Sequence, residues 1–136
     1  MNRTSISLIV ALVFPLAATP MLAHHSFAAT YIDDAPPVES KGTMKSFKIQ
    51  NPHSYVQIED EMLKDKDGNP VRWVAEWGAA AQLTTQNVSA TTLKAGDKVV
   101  VTGAPGRNPE DFRLLLRTIT RPADGWKWPV GNQTFR

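Results

Sequence analysis

The chain has 136 residues, of which 42% are hydrophobic, with 15 Lys and Arg against 13 Asp and Glu and no Cys. That length holds one modest domain. Without Cys, disulfides, thiolate metal sites and Cys nucleophiles are excluded, and the near balance of charge gives no reason to expect nucleic acid or an anionic membrane as partner.

Residues 1–23 read as a signal peptide. Arg3 supplies the positive start, Ile6 to Ala18 the apolar run, and Ala23 a small residue before the polar His24-His25. The run is too short for a membrane span, which takes roughly 20 apolar residues. Cleavage after Ala23 is the preferred site and a cut after Ala18 its competitor. The expected location is therefore periplasmic or secreted. Removal of residues 1–23 leaves 113 residues, and only Arg3 among the charges departs with them.

Residues 24–37 form an irregular N-terminal leader that ends in Asp33-Asp34-Ala35-Pro36-Pro37. The domain follows over residues 38–122. In the first strand, Thr43, Lys45, Phe47 and Ile49 alternate with Met44, Ser46, Lys48 and Gln50, so Phe47 and Ile49 are expected to point inward. Pro52 interrupts the ladder because it has no N–H to donate. Tyr55 to Glu59 makes a second strand with Val56 and Ile58 on one face. Asp65-Lys66-Asp67-Gly68-Asn69-Pro70 reads as a hairpin turn, since Gly and Asn tolerate positive φ. Val71 to Trp77 returns as a third strand with Trp73, Ala75 and Trp77 on one face. Gly78 to Gln86 carries good helix formers over two turns. Val99 to Gly103 and Phe112 to Thr120 are strands four and five, joined by the loop from Ala104 to Asp111. Residues 123–136 form a Trp-containing tail, expected to pack across the open side of the barrel or to contact a partner. Three strands, a short helix and two strands resemble the OB-fold. The expected class is all-β with one short helix, a five-stranded, partly open OB-like barrel.

The chain's three histidines are His24, His25 and His53. If cleavage frees His24, its α-amine and ring nitrogen can chelate one metal ion, with His53 or His25 adding a third nitrogen. Three nitrogens in a T-shape suit Cu(II). That arrangement resembles the histidine brace of exported copper proteins. The competing reading makes His24-His25 a polar leader and His53 a turn residue held by hydrogen bonds. Met44 and Met62 are read as packing residues, with ligation of Cu(I) as the alternative. Glu76 is either an inward carboxylate, acting as acid or ligand, or a solvent-facing partner of a cation such as Arg72. Trp73, Glu76, Trp77 and Arg107 are the candidate ligand-binding residues. Asp97 reads as a turn residue. Asp65, Asp67 and Asn69 look like a fragment of a calcium loop, without its full ligand set or terminal Glu.

Ala23-His24-His25-Ser26-Phe27-Ala28, Asn51-Pro52-His53, Trp73-Val74-Ala75-Glu76, Leu93-Lys94-Ala95-Gly96-Asp97 and Val99-Val100-Val101-Thr102-Gly103 occur in an order that resembles a small exported bacterial family of unknown function (DUF6152). The resemblance covers most of the chain after the signal and implies export, and it implies no activity. Asn87-Val88-Ser89 and the charged hairpin loop at 64–69 depart from the family's pattern.

The expected function is binding without turnover. The sharper form is a copper-binding protein using His24 and His53, with His25 as auxiliary ligand. The alternative is a metal-free OB-like module for a small ligand or for a periplasmic or membrane protein partner, with no nucleic acid. An enzyme ranks third. No Ser/His/Asp motif is recognisable, and His53 and Glu76 alone are too few for a hydrolytic zinc site. A copper oxidase stays open, because a brace site can have open positions.

Overall fold

The computed structural model of the chain describes residues 27–130. The predicted signal, His24, His25 and residues 131–136 lie outside the described residues. The elements run in the order α1 (Phe27–Thr30), β1 (Val38–Lys48), β2 (Ser54–Lys64), β3 (Pro70–Trp77), α2 (Ala80–Thr85), β4 (Lys98–Pro105), β5 (Arg113–Arg121) and β6 (Trp126–Trp128). A 3-10 turn over Pro109–Asp111 precedes β5. No helix among the described residues is long and apolar enough to cross a membrane.

The strands lie in the order β3-β2-β1-β4-β5-β6. Neighbours are antiparallel, and a parallel contact between β3 and β5 pairs Val74, Ala75 and Glu76 with Arg113, Leu114 and Leu115. That short seam closes the first five strands into a barrel. With the helix between the third and fourth strands, this is the OB-like arrangement.

β1 departs from simple alternation. Its register slips between Met44 and Ser46, a β-bulge at Lys45. Before the slip Ser40, Gly42 and Met44 face the interior, whereas after it Phe47 and Ile49 pack on the core. The alternation expected for Thr43 and Lys45 thus fails on one side of the bulge, because an extra residue inverts which face follows. Gly42 is needed on that strand. A Cβ there would run into the Glu59 carbonyl oxygen, and Gly42 pairs with β2 on one side and β4 on the other.

β2 and β3 follow their pattern. Val56, Ile58, Val71 and Ala75 are fully buried, and Trp73 and Trp77 join them. The hairpin turn is held by Asp65, whose Oδ1 accepts from the Asp67 and Asn69 amides, both at 2.9 Å, with Gly68 at positive φ. One face of Asp65 is thus committed to the turn. Met44 is core, while Met62 is exposed on the outer part of the hairpin.

The described part of the tail adds a sixth strand, pairing Trp128 with Ile119. Trp128 packs edge-on against Trp77 at 4.8 Å, and its Nε1 donates to Gln86 Oε1 at 2.7 Å. Removing so large a buried ring costs about 3–5 kcal/mol in comparable cores. Arg121 clamps the same end. Its guanidinium donates to Asp97, Asp124 and the Thr92 carbonyl and lies over the Trp126 ring. Asp97 is a turn residue that also accepts from the Lys94 amide.

A buried carboxylate is built into β2. Asp60 Oδ2 accepts from Ser40 Oγ at 2.6 Å and Trp73 Nε1 at 3.2 Å, and Oδ1 from the Met62 and Leu63 amides at 2.9 and 2.8 Å.

Candidate functional site

Glu76 is the centre of the candidate site. Alternation puts its side chain on the outer face of β3, opposite Trp73, Ala75 and Trp77, yet it is only 6% exposed. The cover is the leader. Tyr31, 1% exposed, closes the α1 turn through its amide on the Phe27 carbonyl at 2.7 Å and pairs as an isolated bridge with Gly106. The Ile32 amide donates to the Pro105 carbonyl at 2.9 Å, and the Arg107 amide to the Thr30 carbonyl at 2.9 Å. Arg107 Nε reaches back to the Ala28 carbonyl at 2.8 Å, and Arg117 holds Asp33. The loop after β4 thus straps the leader across the end of β3.

Three donors converge on the Glu76 carboxylate. The Tyr31 hydroxyl donates to Oε2 at 2.5 Å, His53 Nδ1 faces Oε1, and Arg113 Nη2 lies 3.5 Å from Oε2. Burial, and then the hydrogen bond to Glu76, push the Tyr31 hydroxyl above its ordinary 10.0, so it stays a donor.

His53 is held by its neighbours in the chain. Ser54, fully buried, exchanges hydrogen bonds with Gln50 and sits opposite Trp77, which places Tyr55 opposite Glu76. The Gln50 carbonyl also accepts from the Ala80 amide at 3.0 Å, pinning the loop to α2. The Asn51–Pro52 peptide bond is cis. The Phe27 ring lies on the imidazole with centroids 5.0 Å apart. With Nδ1–H directed to a carboxylate, the lone pair of neutral His53 is on Nε2, which has no protein partner among the described residues. A nitrogen so prepared can ligate a metal or accept a proton.

These groups line a cleft of about 250 Å³, to which Thr30, Pro52 and Tyr55 also contribute. Arg113 brings a further property. Its Nε is buried without a hydrogen-bond partner among the described residues, although the guanidinium is partly exposed.

Of the residues singled out from sequence, the fold brings His53 and Glu76 together. Glu76 is not the solvent-facing partner of Arg72, which pairs with Glu59 at 3.4 Å. Trp73 and Trp77 do not line the cleft, because the inner face of β3 carries them into the core. Arg107 holds the leader and is absent from the cleft wall. His24 and His25 lie outside the described residues. Sequence reading missed Phe27, Tyr31 and Arg113. A large aromatic inside a Pro- and Asp-rich leader was the available signal for Tyr31, while Arg113 has none until β3 and β5 pair.

Fold and cleft together define a small OB-like β-barrel protein with a cleft beside its parallel seam. The chain belongs to a family of unknown function (DUF6152), whose family model matches residues 13–114, a span that includes every residue of the cleft. No curated protein matches the chain. Among solved structures it is similar to the mitochondrial single-stranded DNA-binding protein Rim1 of S. cerevisiae. The TM-score is 0.46 at 16% identity, over 64% of this chain and 93% of that one.

Proposed function

We propose that the protein is exported, loses residues 1–23, and binds copper through His53 Nε2 and the amine and ring nitrogens of His24, with His25 as an auxiliary ligand. The observation that carries the reading is the hydrogen bond from His53 Nδ1 to the buried Glu76, the outer-shell arrangement that orients metal-ligating imidazoles and raises their basicity. Phe27, against the His53 ring, supports it further. Three peptide links separate His24 from Phe27, and such a segment spans at most about 11 Å. Among the described residues no group of three His, Cys, Asp or Glu is arranged to hold a metal ion, so this site depends on residues 24 and 25. Two imidazoles and an amine are borderline donors that favour Cu(II) over harder cations.

The test is intact mass and Cu(II) titration on protein recovered after export, beside a variant with one extra residue before His24. A mass beginning at His24 and loss of tight binding in the extended variant are the expected results. Equally weak binding by both would overturn the copper site. It would leave the second reading, a metal-free module whose cleft takes a small ligand or a periplasmic or membrane protein, which the cleft lined by Tyr31, His53, Tyr55 and Arg113 favours.

A further inference from the structure

β2 carries more residues than the strand it faces. Between the pairs Glu59 with Arg72 and Lys64 with Pro70, the four residues Asp60 to Leu63 stand opposite Val71 alone. Such an excess forms a bulge, which re-aims its side chains. This one is fixed from within, because the buried Asp60 accepts from the Met62 and Leu63 amides at 2.9 and 2.8 Å. The side chains so presented are apolar, Met62 at 86% exposure and Leu63 at 43%. A lone exposed hydrophobic residue needs no explanation, but an adjacent pair held out by a buried carboxylate does. We propose that the bulge is a homodimer contact, in which two copies of the chain cross antiparallel about a two-fold axis between Met62 and Leu63.

The local order of charges selects a second copy. Glu61 precedes the apolar pair and Lys64 follows it, both exposed. Reversal about that axis sets Met62 against Leu63 of the other copy and Glu61 against its Lys64. Two-fold symmetry makes each contact twice. Glu61 already meets Lys98 at 2.7 Å, but an exposed pair of this kind holds weakly and can be shared. The same axis would oppose Asp60 and Asp65, yet both are turned to their own chain, where they hold the bulge and the hairpin turn. A bilayer suits the bulge less well. Glu61, Asp65 and Asp67 offset Lys64 and Lys66, which leaves no excess of positive charge for lipid phosphate. None of these residues lines the cleft, so the contact is independent of copper binding.

Sedimentation equilibrium of the exported protein, with chelator present to prevent bridging by metal, tests the contact. A reversible monomer–dimer equilibrium at protein concentrations up to about 1 mM is the expected result. Met62→Ser should weaken it about tenfold or more, because each substitution removes an apolar contact on both sides of the axis. Glu61→Lys and Lys64→Glu should each weaken it, since each brings like charges together twice. An equimolar mixture of these two variants should recover association, because both ion pairs are restored between unlike chains. The three positions are exposed and Asp60 holds the bulge through backbone amides, so the variants keep the fold. A protein that stays monomeric at about 1 mM would overturn the proposal. So would association untouched by Met62→Ser, or a mixture no better than its components. Monomeric protein that sediments with phosphatidylcholine vesicles, and ceases to with Met62→Ser, would assign the bulge to a membrane and overturn the homodimer as well.

Discussion

Asp60 and Glu76 are both carboxylates buried in one small barrel, and they are buried in opposite ways. Asp60, 8% exposed, is surrounded by groups that do not titrate near neutrality: a serine hydroxyl, an indole N–H and two backbone amides. Its partners come from β1, β2 and β3, so it ties the hairpin to the sheet. Glu76 is met by a phenol, an imidazole and a guanidinium, which come from the leader, the loop before β2 and the start of β5. A carboxylate whose lone pairs are filled by fixed donors secures structure. One whose partners themselves carry or exchange protons, on the wall of a cleft, is equipped for chemistry.

The largest expected effect breaks the first half of that comparison. Asp60→Ala leaves Ser40, Trp73 and two amides without an acceptor, and should cost about 3 kcal/mol of stability in chemical denaturation. Copper affinity should not change. Glu76→Gln should do the reverse. The amide keeps the shape but no longer orients His53 as a charged acceptor, so copper affinity should fall roughly 10- to 100-fold, with a stability loss of only about 1 kcal/mol. If Glu76→Gln destabilised as strongly as Asp60→Ala while leaving copper binding intact, the two carboxylates would have the same structural role.

The smallest effects lie in the pH dependence, where the two clusters separate by sign. Burial raises the Asp60 carboxyl, but hydrogen bonds from Ser40, Leu63, Met62 and Trp73 outweigh it and hold the group below its ordinary 3.8. The unfolded chain then binds the proton more readily. The stability Asp60 contributes is complete above 3.8 and is lost as pH falls through the lower folded value. Tyr31 runs the other way. Its hydroxyl is raised above 10.0, so its contribution is complete below pH 10.0 and is lost as the pH climbs beyond it. Denaturation midpoints measured across pH should show an acid limb softened by Asp60→Asn and an alkaline limb softened by Tyr31→Phe. Asp65, Asp124 and Glu59, also held low, add to the acid limb.

Local periodicity made much of the barrel legible. Val56 and Ile58, and Trp73 with Ala75, declare their inner faces because a strand alternates with period two. The turn at Asp65–Pro70 and the helix between strands three and four are equally local. The site was only half legible. Asn51-Pro52-His53 stood out as a loop, but Glu76 stayed open between an inward carboxylate and a solvent-facing one, because alternation says which face a residue takes and not what covers it. The cover comes from Tyr31, 45 residues away, and the Arg113 contact needs a parallel seam that no local pattern announces. The candidate tryptophans lie away from the cleft for a related reason. Aromatic residues on a strand suggest a binding face, yet Trp73 and Trp77 fill the interior of a barrel too small to spare them.

The bulge in β1 has a bearing on how this chain can change. Because Lys45 switches the strand from one reading frame to another, its two halves are phased independently. Lys45 is thus a spare residue: its loss would close the ladder into a regular one, with Met44, Ser46 and Phe47 still opposite Ile58, Gln57 and Val56 and with Phe47 and Ile49 still turned inward. A residue added between Phe47 and Gln50 would find no such slack, because the Gln50 carbonyl anchors the following loop on α2 and with it His53 opposite Glu76. The strand tolerates shortening at the bulge and resists lengthening after it.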